Sequence, residues 1–170
     1  MEHFTTTSGR PLVIRGMSPD DREREMAFVS GLSDRARRLR FLSSMKELSP
    51  SLLKRFTNPD PACETVLVAL DPDVDAIVAV GRFAIDDEDD RCAEFALVVA
   101  DAWRREGLGL HLMHRLIDDG RRRGLAVIAG LVLAENRDMR RLLERLGFDF
   151  RMDADDPSLA VARLSLAASD

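Results

Sequence analysis

The sequence predicts an α/β protein of the α+β kind, built on a mixed and mostly antiparallel sheet. Two observations predict it. Between Thr65 and Val99, three strand-like runs follow one another across short polar connections, which is the pattern of an antiparallel meander. From Leu97 to Leu133, an apolar strand, an amphipathic helix and a second apolar strand come in succession. That order is a right-handed crossover, and it makes its two flanking strands parallel.

Taken in order, Pro11 to Arg15 reads as a first strand, and residues 1–10 before it are expected to be disordered. Ser18-Pro19-Asp20-Asp21 supplies a helix cap, a proline at the first helical position and acid in the first turn. Met26, Val29 and Leu32 then recur near the helical period and define its packed face. Ser33-Asp34 restarts a helix that runs through Leu39 to Leu42, and Ser49-Pro50 starts a third with Leu52, Leu53 and Phe56. These three helices would form a wall or lid over one side of the sheet. The strands of the meander are Thr65–Leu70, Asp75–Phe83 and Cys92–Val99. Asp86-Asp87-Glu88-Asp89-Asp90 reads as a solvated turn between the last two. A helix from Leu110 to Arg123 leads to the strand Ala126–Leu133. Asn136 opens the last helix, whose apolar stripe is Met139, Leu142, Leu143 and Leu146, with Gly147 at its C-terminal cap. Phe148–Arg151 and Leu159–Leu166 close the sheet around an acidic loop. The 170 residues are expected to form a single domain spanning 1–170.

Composition narrows the function classes. A net charge of −5 and a pI near 5.3 argue against binding the phosphate backbone of nucleic acid. No apolar run reaches the length of a membrane span, and the N-terminus shows no basic region followed by an apolar run. The expected address is the cytoplasm. Cys63 and Cys92 are too few for a disulfide scaffold. No Cys/His cluster suggests a metal, and His111 and His114, three apart on a helix, lack a third ligand nearby.

The stretch with the most chemical content is Leu97-Val98-Val99 followed by Arg104-Arg105-Glu106-Gly107-Leu108-Gly109-Leu110. Two glycines let backbone approach a ligand closely, and the helix opening there offers unpaired N–H groups to an anion such as a pyrophosphate. A plain strand-to-helix turn would use the same glycines.

Arg104-Arg105-Glu106-Gly107-Leu108-Gly109 matches the Arg/Gln-x-x-Gly-x-Gly/Ala pattern of the GNAT acetyltransferases. Asn136 to Gly147-Phe148 is similar to that family's Asn-x(10)-Gly-Phe segment. By these two motifs the chain resembles the GNAT superfamily. Within it, the chain looks most like the acetyltransferase domain of Pat-type bacterial protein lysine acetyltransferases, over about residues 11–150. That likeness is carried by Leu32-Ser33, Arg37, Arg40, Phe41, Met45-Lys46-Glu47-Leu48-Ser49-Pro50, Phe56-Thr57, Ala93–Val99 and Ala134–Arg137.

The resemblance implies a GNAT fold, with about six to seven strands, a splayed central pair and helices on both faces. It implies acetyl-CoA as co-substrate, without a metal, and direct transfer to an amine on a protein lysine or a small molecule. A non-catalytic acyl-CoA sensor is the alternative in another class. The protein would be a monomer or homodimer. By resemblance, the strand Leu97-Val98-Val99 lines the acetyl-CoA gap, and the N–H of Val98 or Val99 polarises the thioester carbonyl. The N–H groups of residues 104 to 110 hold the pyrophosphate, and Asn136 bonds the cofactor arm; a helix N-cap is the alternative role for Asn136, and the two can coexist.

Glu94 is the candidate general base. Strand alternation places it on the same face as Ala96 and Val98, and a partly dry cleft would raise its basicity. An exposed strand residue or an arginine partner is the competing description. Many relatives carry a tyrosine seven residues after the Asn136 position to protonate the leaving thiolate. This chain has no tyrosine, and Leu143 stands there. Cys92, two residues before Glu94, reads as a structural thiol, and Arg37 and Arg40 as either acceptor ligands or braces of the helical wall.

Overall fold

The computed structural model describes residues 1–41 and 48–167. Its elements are β1 (Glu2–Thr5), β2 (Pro11–Gly16), α1 (Arg22–Gly31), α2 (Asp34–Phe41), α3 (Pro50–Thr57), β3 (Glu64–Asp71), β4 (Ala76–Ile85) and β5 (Cys92–Val99). They continue with α4 (Leu108–Arg122), β6 (Val127–Leu133), α5 (Arg137–Arg145), β7 (Asp149–Met152) and β8 (Leu159–Ser165). The expected helical residue Leu42 and the stretch Met45-Lys46-Glu47 lie outside the described residues.

Eight strands form one sheet in the order β1-β2-β3-β4-β5-β6-β8-β7. Each pair is antiparallel except β5–β6, the two strands joined by α4. The strand beyond the expected seven is β1, and it corrects the expectation of disorder over residues 1–10. Glu2–Thr5 pairs with β2 from Glu2↔Ile14 to Thr5↔Pro11. Phe4 packs on the core, and Glu2 meets His111 and Arg115 on α4.

Helices cover both faces. On one, Phe28, Val29, Leu32 and Ala36 of the α1–α2 wall pack on Val66, Val68, Val80 and Val98. On the other, Leu112, Leu116 and Leu143 of α4 and α5 pack on Ala79, Phe83, Phe95, Leu97 and Ile128. The stripe of α1 differs from expectation. Met26 is 49% exposed, and the inward positions are Asp21, Glu25, Phe28, Val29 and Leu32. Their spacing is as helical as that of the apolar set, but two carboxylates occupy the stripe. Asp21 is matched by Arg15 at 2.6 and 2.7 Å and by Arg24 at 3.1 Å. It also accepts from the Ser18 N–H as part of a capping box. These partners, Arg15 first, hold its carboxyl down at about 2.

The sheet opens between β5 and β6. Parallel pairing is confined to Cys92↔Val127, Ala93↔Ile128 and Glu94↔Ala129. Beyond Glu94 the two strands diverge, one toward the α4 loop and the other toward α5.

Candidate active site

The divergence of β5 and β6 leaves a cleft of about 600 Å³. Its lining includes Leu97, Val98, Val99, Arg104, Arg105, Gly107, Gly109, Leu110 and Asn136. A second cavity of about 70 Å³ adjoins it and is lined by Leu39, Arg40, Glu94, Leu131, Asn136 and Met139. Asn136 and Arg40 belong to both, so the acetyl-CoA candidates and the candidate base meet at one junction.

Backbone direction separates Val98 from Val99. The Ala100 N–H donates to Val78 O, and the Asp86 N–H donates to Cys92 O, each at 2.9 Å. Between them the register runs without a shift from Ala79↔Val99 to Ile85↔Ala93. Alternation along an antiparallel ladder therefore turns the N–H groups of Glu94, Ala96 and Val98 toward β4. Those of Leu97 and Val99 face the gap where β6 has left. Of the two candidates, Val99 turns its N–H toward the gap, and Val98 contributes its side chain.

The loop is held from behind by the N-terminal hairpin. The Thr7 N–H donates to Glu106 O at 3.2 Å. The Glu106 carboxylate accepts from Ser8 N and Ser8 Oγ at 2.9 Å and from Arg10 at 3.2 Å. Arg10 in turn stacks 3.7 Å over the Trp103 ring and donates to Ala102 O. Glu106 is therefore a brace, with its side chain turned away from the cleft. Leu108 is fully buried in the core, and α4 begins there, two residues earlier than expected. Gly107 adopts φ +81°, a left-handed conformation that suits glycine, and a Cβ on it would point toward Thr7 and Phe4. Arg105 shares that region at φ +59°. Gly109 faces the cleft, where a Cβ would stand 3.1 Å from Leu142 Cδ1. Arg104 reaches back to Val99 O at 3.4 Å.

Asn136 is buried and caps α5, its Oδ1 accepting from the Met139 N–H at 3.2 Å. Among the described residues its Nδ2 has no hydrogen-bond acceptor. Leu143, standing where relatives have tyrosine, is fully buried in the core and touches neither cavity.

Glu94 shares a sheet face with Ala96 and Val98, as alternation required, but it is exposed, which corrects the expected partly dry cleft. The reason is local: its neighbours across the sheet are Ala84 and Ala129, too small to cover it. Arg82 and Glu64 lie on the same face and pair at 2.8 Å.

Other candidates are placed elsewhere. His111 bonds Glu2 at 3.0 Å and packs 4.8 Å from the Phe4 ring, so it faces the N-terminal strand. Cys92 donates to Asp89 at 3.1 Å, and that carboxylate with burial pushes its thiol upward, which suits an inert thiol. Arg37 bonds Ser30 O, Leu32 O and Asp34, bracing the α1–α2 junction. No group of three or more His, Cys, Asp or Glu side chains among the described residues could hold a metal ion. No described helix is long and apolar enough to cross a membrane.

Sequence reasoning missed Trp103, Arg141, Leu142 and Arg145 as cleft residues. Arg141, Leu142 and Arg145 fall on one face of α5 by their spacing, a legible signal. The approach of α2, which brings Ala36, Leu39 and Arg40 to the cleft, has no local signal.

A mixed sheet that parts between its parallel strands, over a helix entered through a glycine loop, defines an acyl-CoA-type transferase fold. The sequence profile of the acetyltransferase (GNAT) family matches residues 32–148, and the chain belongs to that family. It is 38% identical over 160 residues to the Pseudomonas aeruginosa protein named Acetyltransferase PA5475, covering 93% of this chain and 86% of that one. It is 28% identical over 140 residues to Acetyltransferase Pat of Mycolicibacterium smegmatis, covering 82% of this chain but only 42% of that protein. Among solved structures, the GNAT domain of S. lividans PAT superposes with a TM-score of 0.87 at 23% identity, covering 96% of each chain. A cAMP-binding acyltransferase from Mycobacterium smegmatis superposes with a TM-score of 0.66 at 22% identity, over 98% of this chain and 47% of that one.

Proposed function

We propose that this chain transfers an acetyl group from acetyl-CoA directly to an amine in the cytoplasm, with a protein lysine side chain as acceptor. One observation carries the reading. The Leu97 and Val99 N–H groups face the gap left by β6, and Glu94 opens into the adjoining cavity that Asn136 shares.

These residues fit acetyl-CoA. The unpaired donors of β5 suit an extended amide-bearing arm laid along the strand. The N–H groups from Arg104 to Leu110, with the N-terminus of α4, suit a pyrophosphate. Asn136 Nδ2, which has no acceptor among the described residues, suits a carbonyl of the same arm. When bound, acetyl-CoA supplies the activated acetyl group. Val99 N–H supplies a fixed dipole for the carbonyl oxygen, where preorganised donors act most strongly. Glu94 accepts the proton that an acceptor ammonium must lose before its nitrogen is a nucleophile. With Leu143 in the core, no side chain acid stands at the tyrosine position, and a thiol leaves readily with a proton from the amine or water.

The resemblance to Pat-type enzymes favours a lysine acceptor, and the exposure of Glu94 supports it. A base at the mouth of the site is within reach of a long side chain projecting from another protein. Glu94→Gln is expected to lower turnover by about 10²–10⁴-fold while acetyl-CoA affinity, measured by calorimetry, stays unchanged. Full turnover in that variant would remove Glu94 from the mechanism. The acceptor is tested by incubating the protein and labelled acetyl-CoA with a lysate of its source, then mapping the label by mass spectrometry. Label on lysine peptides supports the reading, label only on small amines replaces the acceptor, and acetyl-CoA binding with no labelled product turns the reading into a sensor.

A further inference from the structure

One face of the sheet is covered along only half of its width. On the side of the α1–α2 wall, Val66 and Val68 of β3 and Val80 and Arg82 of β4 are all buried. Beyond β5 the same face opens. Leu131 of β6 is 41% exposed, Arg163 of β8 and Asp149 and Arg151 of β7 are exposed, and Ala129 and Val161 are half-buried. None of these residues belongs to either buried core. A sheet face turned to water carries polar residues at its alternating positions. This one offers Ala129, Leu131 and Val161, with charge only at its margins.

Strand register sets the open positions in two rows. Glu94, Ala129, Arg163 and Asp149 stand side by side in one, and Leu131, Val161 and Arg151 in the next. Glu94 is thus the near end of the open face, and Arg163 is two strands away, about 10 Å at the ordinary strand spacing. Neither Arg151 nor Arg163 makes an ion pair with a described residue, although Arg163 stands across from Asp149. The acidic loop after β7 supplies no partner, since Asp153 and Asp156 turn to backbone N–H groups of their own loop. From the candidate base outward, the face is anionic, then apolar, then cationic.

The complement of that order is a segment that is cationic, then apolar, then anionic. We propose that the open half of the sheet docks an extended segment of the acceptor protein. Its lysine lies at Glu94, an apolar side chain rests on Leu131 and Val161, and an aspartate or glutamate meets Arg163 and Arg151. An extended chain covers about 10 Å in about three residues, so the acid stands about three positions from the lysine. This rests on the reading of the site as a lysine acetyltransferase and adds the feature of the acceptor that is recognised. The chain carries −5 overall, so an acidic segment must find its attraction where cations gather locally. A second copy of the chain fits less well, because seated on the same row it would lie over Glu94 and close the site to any acceptor.

The test uses the full chain and synthetic lysine peptides carrying leucine and then glutamate beyond the lysine, on its N-terminal or its C-terminal side. Glutamine or arginine replaces the glutamate in the control peptides. Backbone amide NMR reads binding without turnover. The glutamate peptide is expected to shift the amides of β6, β7 and β8, and added salt to weaken its binding. Shifts that are absent, or confined to other elements, overturn the proposal. In steady-state acetylation, Arg163→Glu is expected to raise KM for the better glutamate peptide about tenfold. The arginine peptide should be the poorer substrate of the wild type and the better substrate of Arg163→Glu, a reversal that a merely structural role of Arg163 would not give. Equal KM for the glutamate and glutamine peptides overturns the docking and leaves the lysine reading intact. Shifts on β6 and β8 without acetylation of any peptide mean the opposite, a docking face that stands and a lysine reading that fails. Light scattering covers the other occupant. A dimer that Leu131→Asp converts to a monomer assigns the face to a second copy and overturns the proposal.

Discussion

Two carboxyl groups on the buried stripe of α1 respond to pH in opposite senses. Asp21, held at about 2 against an ordinary 3.8, stabilises the fold above pH 3.8 and loses that contribution as pH falls through 2. Glu25, raised to about 7 from 4.5, is neutral in both states below pH 4.5. Between pH 4.5 and 7 the unfolded chain gives up its proton first, so the folded state loses stability, and above 7 the loss is complete. The 2.5-unit rise corresponds to about 3 kcal/mol. Relative to the wild type, Glu25→Gln should therefore gain about 2.5 kcal/mol between pH 5 and pH 8 in urea unfolding. A difference that does not vary with pH would show that Glu25 is not titrating in that range. This carboxylate was invisible to a search for apolar periodicity, since position 25 has the helical spacing but the wrong chemistry for a core.

The element that makes the site is the parting of β5 from β6, and one residue at that point controls how close they come. A Cβ on Gly130 would stand 2.7 Å from Phe95 Cε1 and 2.9 Å from Phe95 O. A ring alone would rotate aside, but a backbone oxygen does not move without its strand. Gly130→Ala is expected to cost about 2 kcal/mol, read as a lower thermal midpoint. It should also weaken acetyl-CoA binding, because the cleft begins one residue beyond the last parallel pair. A variant with unchanged melting and affinity would show that the strands are looser here than their contacts indicate. Gly109 is gentler, since a Cβ there meets only the end of the Leu142 side chain at 3.1 Å.

Across the whole molecule, the N-terminal hairpin and the glycine loop form one unit although Ser8 and Glu106 stand 98 positions apart in sequence. Glu106 takes bonds from Ser8 and Arg10, and Thr7 reaches the cleft wall. Removing residues 1–10 should weaken acetyl-CoA affinity severalfold in calorimetry and lower the thermal midpoint. Undiminished affinity would reduce the hairpin to packing. Charge reversal at Glu106 should act in the same direction, because it repels Arg10 and frees the loop.

Much of this arrangement was legible in order. The meander, the crossover through α4, the stripe of α5 with Gly147 at its end and the glycines of the loop all follow from local rules of spacing and conformation. Those rules concern residues within one or two turns or strands of each other, which is why they can be read along a chain. The acetyltransferase motifs added the expected cleft residues, most of which line it. What the sequence did not contain was long-range geometry. Disorder was expected over residues 1–10 because a short polar segment has no periodicity of its own, and only β2 and Glu106 give it a place. Val98 and Val99 were indistinguishable until the ladder with β4 assigned each N–H a side. Glu94 was expected in a partly dry cleft, and the alanines across the sheet leave it open. Arg40 and Glu94 line one small cavity because the end of α2 packs beside β5, and the physical reason no spacing rule could find them is that each comes from a different element.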